Sequence, residues 1–252
     1  MAACVPRGVV GADGRRAVVH DRHGTLIALD TETGAVLWRR GRWLRPCAVT
    51  GGAVVAVRLG GPPAPDGQGR AGAAGPVAVV VLDAEEGAER WTSPPLDLPS
   101  WARPSLDDTP AFTLAAETPG GGNVVLRWAA RALYEGGAPP GRGAPVDTVR
   151  EAHGAVRVRL AGPSPQVLPE PPGPPPGAEP ETGPEAPDRA GPLDPDVLEA
   201  GRIGARRIEL AVRRGTASDA LVLRAVDPGA DAPVWEVVLD EGPRGVPPRP
   251  RP

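Results

Sequence analysis

The strongest constraint on this chain is a recurrence. Residues 26–38 and 79–91 align without a gap and hold Leu, Asp, Gly and Trp at fixed offsets: Leu29, Asp30, Gly34 and Trp38 against Leu82, Asp83, Gly87 and Trp91. A third copy at 223–235 keeps the eight-residue step from Asp227 to Trp235. Each copy reads as a β-hairpin: an apolar run, a polar turn opened by Asp and relaxed by Gly, then a second run ending on Trp. The Asp carboxylate bonds turn amides, and Gly supplies the positive φ of a tight reversal. The Trp is large enough to fill space between neighbouring sheets. Nothing in the unit demands chemistry.

A second recurrence precedes the first, in which a proline leads into a short strand, a turn and a valine-rich strand. Pro46–Val57 is the clearest example, and comparable segments begin near Pro6, Pro104 and Pro145. The spacings are 40, 58 and 41 residues, and removing the sixteen-residue Gly/Pro-rich segment 60–75 brings the middle one to 42. A period near 40 with four short strands per unit is the signature of propeller blades. Four blades are expected, at 6–44, 45–101, 102–140 and 145–241. The third is degenerate, with Val124–Trp128 and Ala132–Tyr134 as its outer hairpin.

These segments resemble the repeat of PQQ-like (quinoprotein-like) β-propellers, with its Leu-x-Ala-Leu-Asp-x-x-Thr-Gly-x-x-x-Trp pattern. Gly24, Leu26, Ala28, Leu29, Asp30, Thr33, Gly34 and Trp38 match it nearly completely. The second copy has Glu86 in place of the threonine, and the third has Asp231 in place of the glycine. The resemblance implies an all-β propeller. Quinoprotein dehydrogenases of this class have eight blades, a calcium ion, a catalytic aspartate and a disulfide between adjacent cysteines. Here Cys4 and Cys47 stand 43 residues apart and Asn123 is the sole asparagine, so the expectation is a cofactor-less member. Such members serve as scaffolds, for example the lipoprotein that helps assemble bacterial outer-membrane proteins, or as sensor domains.

Composition then separates folded from unfolded parts. Glycine (34) and proline (35) together make up about 27% of the chain, a level that unpatterned would read as disorder. Many glycines fall at the periodic turns, whereas segment 163–195 holds 13 prolines, six acidic residues and one arginine. That segment is expected to be a disordered or polyproline-like linker inserted in blade four. Domain boundaries accordingly read 1–162 for blades one to three and the start of four, 163–195 for the linker, 196–241 for the rest of blade four, and 242–252 for a Pro/Arg tail. Segments 60–75 and 163–195, with Thr118–Gly122 between them, occupy the place between second and third strands in successive blades. They should therefore emerge on one face, where a partner is expected to bind.

No residue qualifies for a catalytic, cofactor-binding or metal role. His20-Asp21-Arg22-His23 reads as an exposed turn with only Cys47 or Asp30 as a further ligand, and His153 beside Glu151 sits in a turn without a nucleophile. The net charge of −3 offers no basic stripe for nucleic acid, and no run of 18 apolar residues implies membrane insertion. The start lacks a secretory signal, so the chain is expected to stay in the cytoplasm, and a composition without lysine and dominated by Ala, Arg, Gly, Pro and Val is what a high-GC, actinobacterial-type genome is expected to encode. The expected role is a non-enzymatic protein-binding or scaffold module in a complex, with self-association open because an unclosed propeller would expose sheet edges. A ligand-sensing domain and an enzyme or metal site at the central channel are the competing readings.

Overall fold

The computed structural model describes residues 4–5, 8–59, 76–99, 111–118, 120–134, 148–171, 197–216, 218–230 and 232–243. All regular structure among them is β. Sheet one contains β1 (Cys4–Val5), β2 (Gly8–Val10), β3 (Arg16–His20), β4 (Leu26–Asp30) and β5 (Val36–Arg40) in chain order. Sheet two contains β6 (Leu44–Thr50), β7 (Ala53–Leu59), β8 (Val77–Asp83) and β9 (Glu89–Thr92). Sheet three contains β10 (Ala111–Glu117), β11 (Asn123–Tyr134), β12 (Thr148–Arg159) and β13 (Gln166–Glu170). Sheet four contains β14 (Val197–Ile203), β15 (Arg206–Arg214), β16 (Ser218–Val226) and β17 (Pro233–Pro243). Each is an antiparallel meander, the architecture of a propeller blade. The chain divides into two compact units, Met1–Arg58 with Val80–Thr92 and Gly183–Pro252, and Leu59–Val79 with Ser93–Thr182.

In the first unit, sheet one is covered on both faces. Val10, Ala17, Val19, Ile27 and Leu29 pack with Ile208, Leu210, Leu221, Leu223 and Trp235 of sheet four. From the opposite face, Val18, Leu26, Ala28 and Trp38 pack with Leu44, Val54, Ala56, Val80 and Leu82 of sheet two. Double coverage explains why β3 and β4 read as continuous apolar runs rather than alternating ones.

The recurrent hairpins close as their sequence demands. Asp30 N–H donates to the Ala35 carbonyl (3.0 Å) and Gly34 N–H to the Asp30 carbonyl (2.8 Å); Asp83, Ala88 and Gly87 repeat the pattern at 2.7 and 3.0 Å. Gly34 and Gly87 take φ of 72° and 70°. Each hairpin also carries a bulge at one equivalent place. Trp38 pairs with Ala28 and Val36 with Leu29, skipping Leu37; Arg90 and Val234 are skipped in the same way. The small partner Ala28, and Ala225 in sheet four, leaves room beside the Trp that follows each bulge.

Sheet three, in the second unit, has two unlike faces. Phe112, Val124, Leu126, Trp128 and Val158 are buried, whereas Arg157 and Arg159 are exposed on the alternate side. Trp128 pairs with Gly154, and a Cβ on that glycine would sit 2.7 Å from the indole ring.

Strand pairing departs from the expected blade limits in the third and fourth sheets. The segment 148–159 is not the start of blade four: it pairs along its whole length with Asn123–Tyr134 as the third strand of sheet three. Val124–Trp128 and Ala132–Tyr134 are accordingly one continuous strand rather than two arms of a hairpin. Thr118–Gly122 turns between first and second strands, not second and third, and His153 lies within β12 rather than in a turn. The Pro-rich segment begins later than expected, because Gln166–Glu170 forms the edge strand of sheet three. Pro169 is tolerated there since an edge strand has one side free of ladder bonds. The Pro-rich segment thus follows sheet three instead of splitting blade four, so it does not share with segment 60–75 the place between second and third strands from which a common face was expected. Residues 172–195 lie outside the described residues, as does segment 60–75.

Candidate interaction surface

Three features grow from the hairpin geometry, and the second and third place side chains where they could meet another molecule. The first is a node between blades. Trp38 Nε1–H donates to the Ala84 carbonyl (3.0 Å), and Trp235 Nε1–H to the Thr31 carbonyl (2.9 Å). Ala84 and Thr31 each directly follow the turn Asp, and each donates its own N–H to the neighbouring turn of its sheet, at Gly52 and Arg15 respectively, both 3.0 Å. The node is structural: it satisfies buried backbone groups and locks sheets one, two and four in register. The Asp30 carboxylate stays inside its turn, and Asp83 adds to its turn bonds an ion pair with Arg90 of β9. Asp30 Oδ1 accepts from the amides of Thr33 (2.8 Å) and Glu32 (3.1 Å) and from the Thr33 hydroxyl (2.8 Å). The Thr33 amide, followed by its hydroxyl, holds the Asp30 carboxyl below its usual range, and the Glu86 and Glu85 amides do the same for Asp83.

The second feature is an outer apolar rim. Val36, Leu37 and Val234 are the exposed large hydrophobic residues among the described ones, at 42%, 44% and 44% exposure. Leu37 and Val234 are the skipped residues of equivalent bulges, which turn them outward while the adjacent Trp38 and Trp235 turn in. They lie on β5 and β17, the edge strands of sheets one and four.

The third feature is cationic. At the end of sheet one opposite the Asp30 turn, Trp43 N–H donates to the His23 carbonyl (3.1 Å) and Leu44 N–H to the Gly24 carbonyl (2.9 Å). This joins the Asp21–Thr25 turn to the segment leading into β6. Arg22, Arg39, Arg40 and Arg42 are exposed there, with Trp43 and Arg45 half-buried. Trp43 has a φ of 58°, the one non-glycine residue in the left-handed region among the described residues. A bulky side chain in that region carries about 1–2 kcal/mol of strain.

His20 and His23 do not converge on a ligand. His20 is buried, with Nδ1 3.0 Å from the Asp21 carbonyl, and His23 Nε2 accepts from Arg22 Nε at 3.0 Å. Asp21 Oδ1 accepts from the amides of His23 (2.8 Å) and Thr25 (2.9 Å). Cys47 is buried, and burial pushes its thiol up to about 12. Among the described residues no three His, Cys, Asp or Glu side chains group as metal ligands. In the second unit a cleft of about 370 Å³ is lined by Glu117, Asn123, Arg157 and Glu170, but Arg157 is already paired with Glu170 at 2.7 Å.

Sequence reasoning missed both the rim and the cationic end. Val36-Leu37 before Trp38 breaks strand alternation, and no acidic residue occurs from 33 to 65, so both left a readable trace.

The profile of the family described as outer membrane protein assembly factor BamB, a PQQ-like repeat family, matches residues 5–130, half of the chain. The chain belongs to this PQQ-like β-propeller family. The match spans the two best copies of the repeat and carries the assignment alone. No curated protein matches the sequence significantly. Among solved structures, BamB from Moraxella catarrhalis is similar at 14% identity and a TM-score of 0.33, with 90% of this chain and 59% of that chain covered. The chain thus spans less than two thirds of that propeller's length.

Proposed function

We propose that this PQQ-like propeller is a non-enzymatic scaffold that binds another protein within a complex. The observation that carries the reading is the rim: the exposed large apolar side chains sit on edge strands, two of them at equivalent bulges. Edge strands offer unpaired backbone groups, and apolar residues beside them supply the buried area an interface needs. The family description, which names an assembly factor, supports the same reading.

The test compares the native chain with a triple Val36→Ser, Leu37→Ser, Val234→Ser variant in pull-downs from the native host, alongside mass measurement in solution. The expected result is a stoichiometric protein captured by the native chain and lost in the variant. A monomer that captures nothing, or capture unchanged by the three substitutions, overturns the reading.

A further inference from the structure

The cleft of sheet three is assembled by strand register. Ala116, Val125 and Arg157 stand in one row across three strands, because Ala116 pairs with Val125 and Val125 with Arg157. The short side chains of Ala116 and Val125 leave the middle of that row low, and the edge strand β13 brings Glu170 to Arg157. At the far end, the Thr118 N–H donates to the Asn123 carbonyl at 3.0 Å and the Gly121 N–H to the Thr118 carbonyl at 2.9 Å, closing a tight turn that sets Thr118 beside Asn123. All of these side chains line one space of about 370 Å³. Polar capacity remains in it. Arg157 Nη2 meets both Glu170 oxygens, at 2.7 and 3.0 Å, so the pair occupies one guanidinium nitrogen and leaves the N–H groups of Nε and Nη1 without a hydrogen bond among the described residues. The Thr118 hydroxyl and the Asn123 carboxamide make none there either. Donors and acceptors thus converge over an apolar floor, the general make-up of a small-molecule site.

We infer that this cleft binds an uncharged polyhydroxylated ligand, a sugar unit or cyclic polyol. Adjacent hydroxyls bridge Arg157 and Glu170, a further hydroxyl meets the Asn123 carboxamide, and the C–H face of the ring rests on Ala116 and Val125. Hydroxyls suit the pair because each both donates and accepts, so two neighbours can take a guanidinium N–H and a carboxylate oxygen that lie side by side. Charge selects among ligands. Arg157 and Glu170 neutralise each other, and Glu117 on the same lining sets a second carboxylate against any anion, so a phosphate or carboxylate ligand is disfavoured. Size selects further, since the cleft falls at the lower end of the range of about 300–1,000 Å³ for ligand sites and suits one or two rings rather than a long chain.

The inference stands apart from the scaffold reading, since cleft and rim share no residue. The full chain is titrated with methyl glucoside, methyl mannoside, N-acetylglucosamine, maltose and inositol, with a sugar phosphate as the anionic control and N-acetylglycinamide as the amide control. Saturation-transfer NMR and calorimetry are the readouts. At least one neutral polyol should bind saturably with a dissociation constant of about 1 mM or tighter, and binding should hold as salt rises from about 50 to about 300 mM. Asn123→Ala and Arg157→Gln should each weaken it at least about tenfold, and Ala116→Trp, which fills the floor at an exposed position, should abolish it. Arg159→Gln, exposed on the same face of β12 but outside the cleft, should bind like the native chain, as should the Val36, Leu37, Val234 triple-serine variant. Unchanged thermal melts of the exposed Arg157 and Ala116 variants separate loss of the site from loss of the fold. No saturable polyol in the panel, tighter binding of the sugar phosphate or the amide, or affinity indifferent to the Asn123 and Arg157 substitutions overturns the inference while leaving the rim untouched.

Discussion

Gly34 lies against the ring of Trp235: a Cβ at position 34 would come within 2.5 Å of Trp235 Cβ and Cγ. Gly87 lies in the same way against Trp38, at 2.6 Å from Cδ2. The turn glycine therefore serves two needs at once, a left-handed φ within its own hairpin and clearance for the tryptophan of the adjacent sheet.

Substitution separates the two. Gly34→Ala should cost about 2–4 kcal/mol, from left-handed strain plus overpacking. Gly14→Ala, at a φ of 70° but with nothing within 4 Å of its Cβ, should cost only about 1–2 kcal/mol. Urea unfolding of both variants checks the difference.

The two Trp nodes should differ in how they tolerate loss of the indole donor. The Ala84 carbonyl also accepts from Arg16 Nη1 at 2.6 Å, whereas the Thr31 carbonyl has only Arg206 Nη1 at 3.5 Å in addition. Trp235→Phe should leave that buried carbonyl nearly unpaired, at about 1–3 kcal/mol, and Trp38→Phe should cost about 0.5–1.5 kcal/mol. Equal destabilisation in thermal melts would show that the second donors carry no weight.

Asp30 is held below its ordinary value of 3.8 by the Thr33 amide and hydroxyl. A carboxylate with a lowered folded-state pKa contributes stability that is present above the unfolded value and lost as pH falls through the folded one. The native chain should therefore be more stable than Asp30→Asn near neutrality, with the gap closing once the pH drops below 3.8. Denaturant midpoints measured at pH steps across that window give the answer.

Cys47 is the skipped residue of a bulge in β6 and is fully enclosed. With the thiol raised from 9.0 to about 12 by burial, the folded chain should not yield Cys47 to a thiol reagent at mildly alkaline pH, and unfolding should release it. The sign of the linkage is opposite to that of Asp30. Stability is unaffected below the ordinary value and falls as pH climbs from there toward the folded one. Reagent titration with and without denaturant reads the protection directly.

Trp43 tests strain alone. Trp43→Gly should be more stable than Trp43→Ala by about 1–2 kcal/mol, because only glycine adopts its φ of 58° freely. Chemical denaturation of the pair settles the sign.

The hairpins were legible because their chemistry is local. Asp30, Gly34 and Trp38 sit within nine residues, and the turn bonds they imply form within the same segment. The third sheet was misread for the converse reason. Its β11 and β12 are 12-residue strands joined across positions 135–147, and that pairing is specified by long-range register rather than by a turn motif. Gln166–Glu170 was hidden by its prolines, since a Pro-rich composition reads as unfolded until an edge position makes Pro169 harmless. Of the interaction surfaces, the sequence showed the raw material, a run of arginines without acids and two apolar residues before a Trp.

By itself, then, the sequence determined the repeat, the all-β class, the turn chemistry and the family, because each depends on residues within one hairpin. The tertiary structure decided which strands share a sheet, that Leu37 and Val234 face outward while Trp38 and Trp235 face in, and that the Asp21–Thr25 turn is bonded to the segment leading into β6 through Trp43 and Leu44. Those outcomes rest on bulges and on backbone bonds between segments far apart in the chain, and side-chain direction at a bulge is set by the partner strand, which no local pattern records.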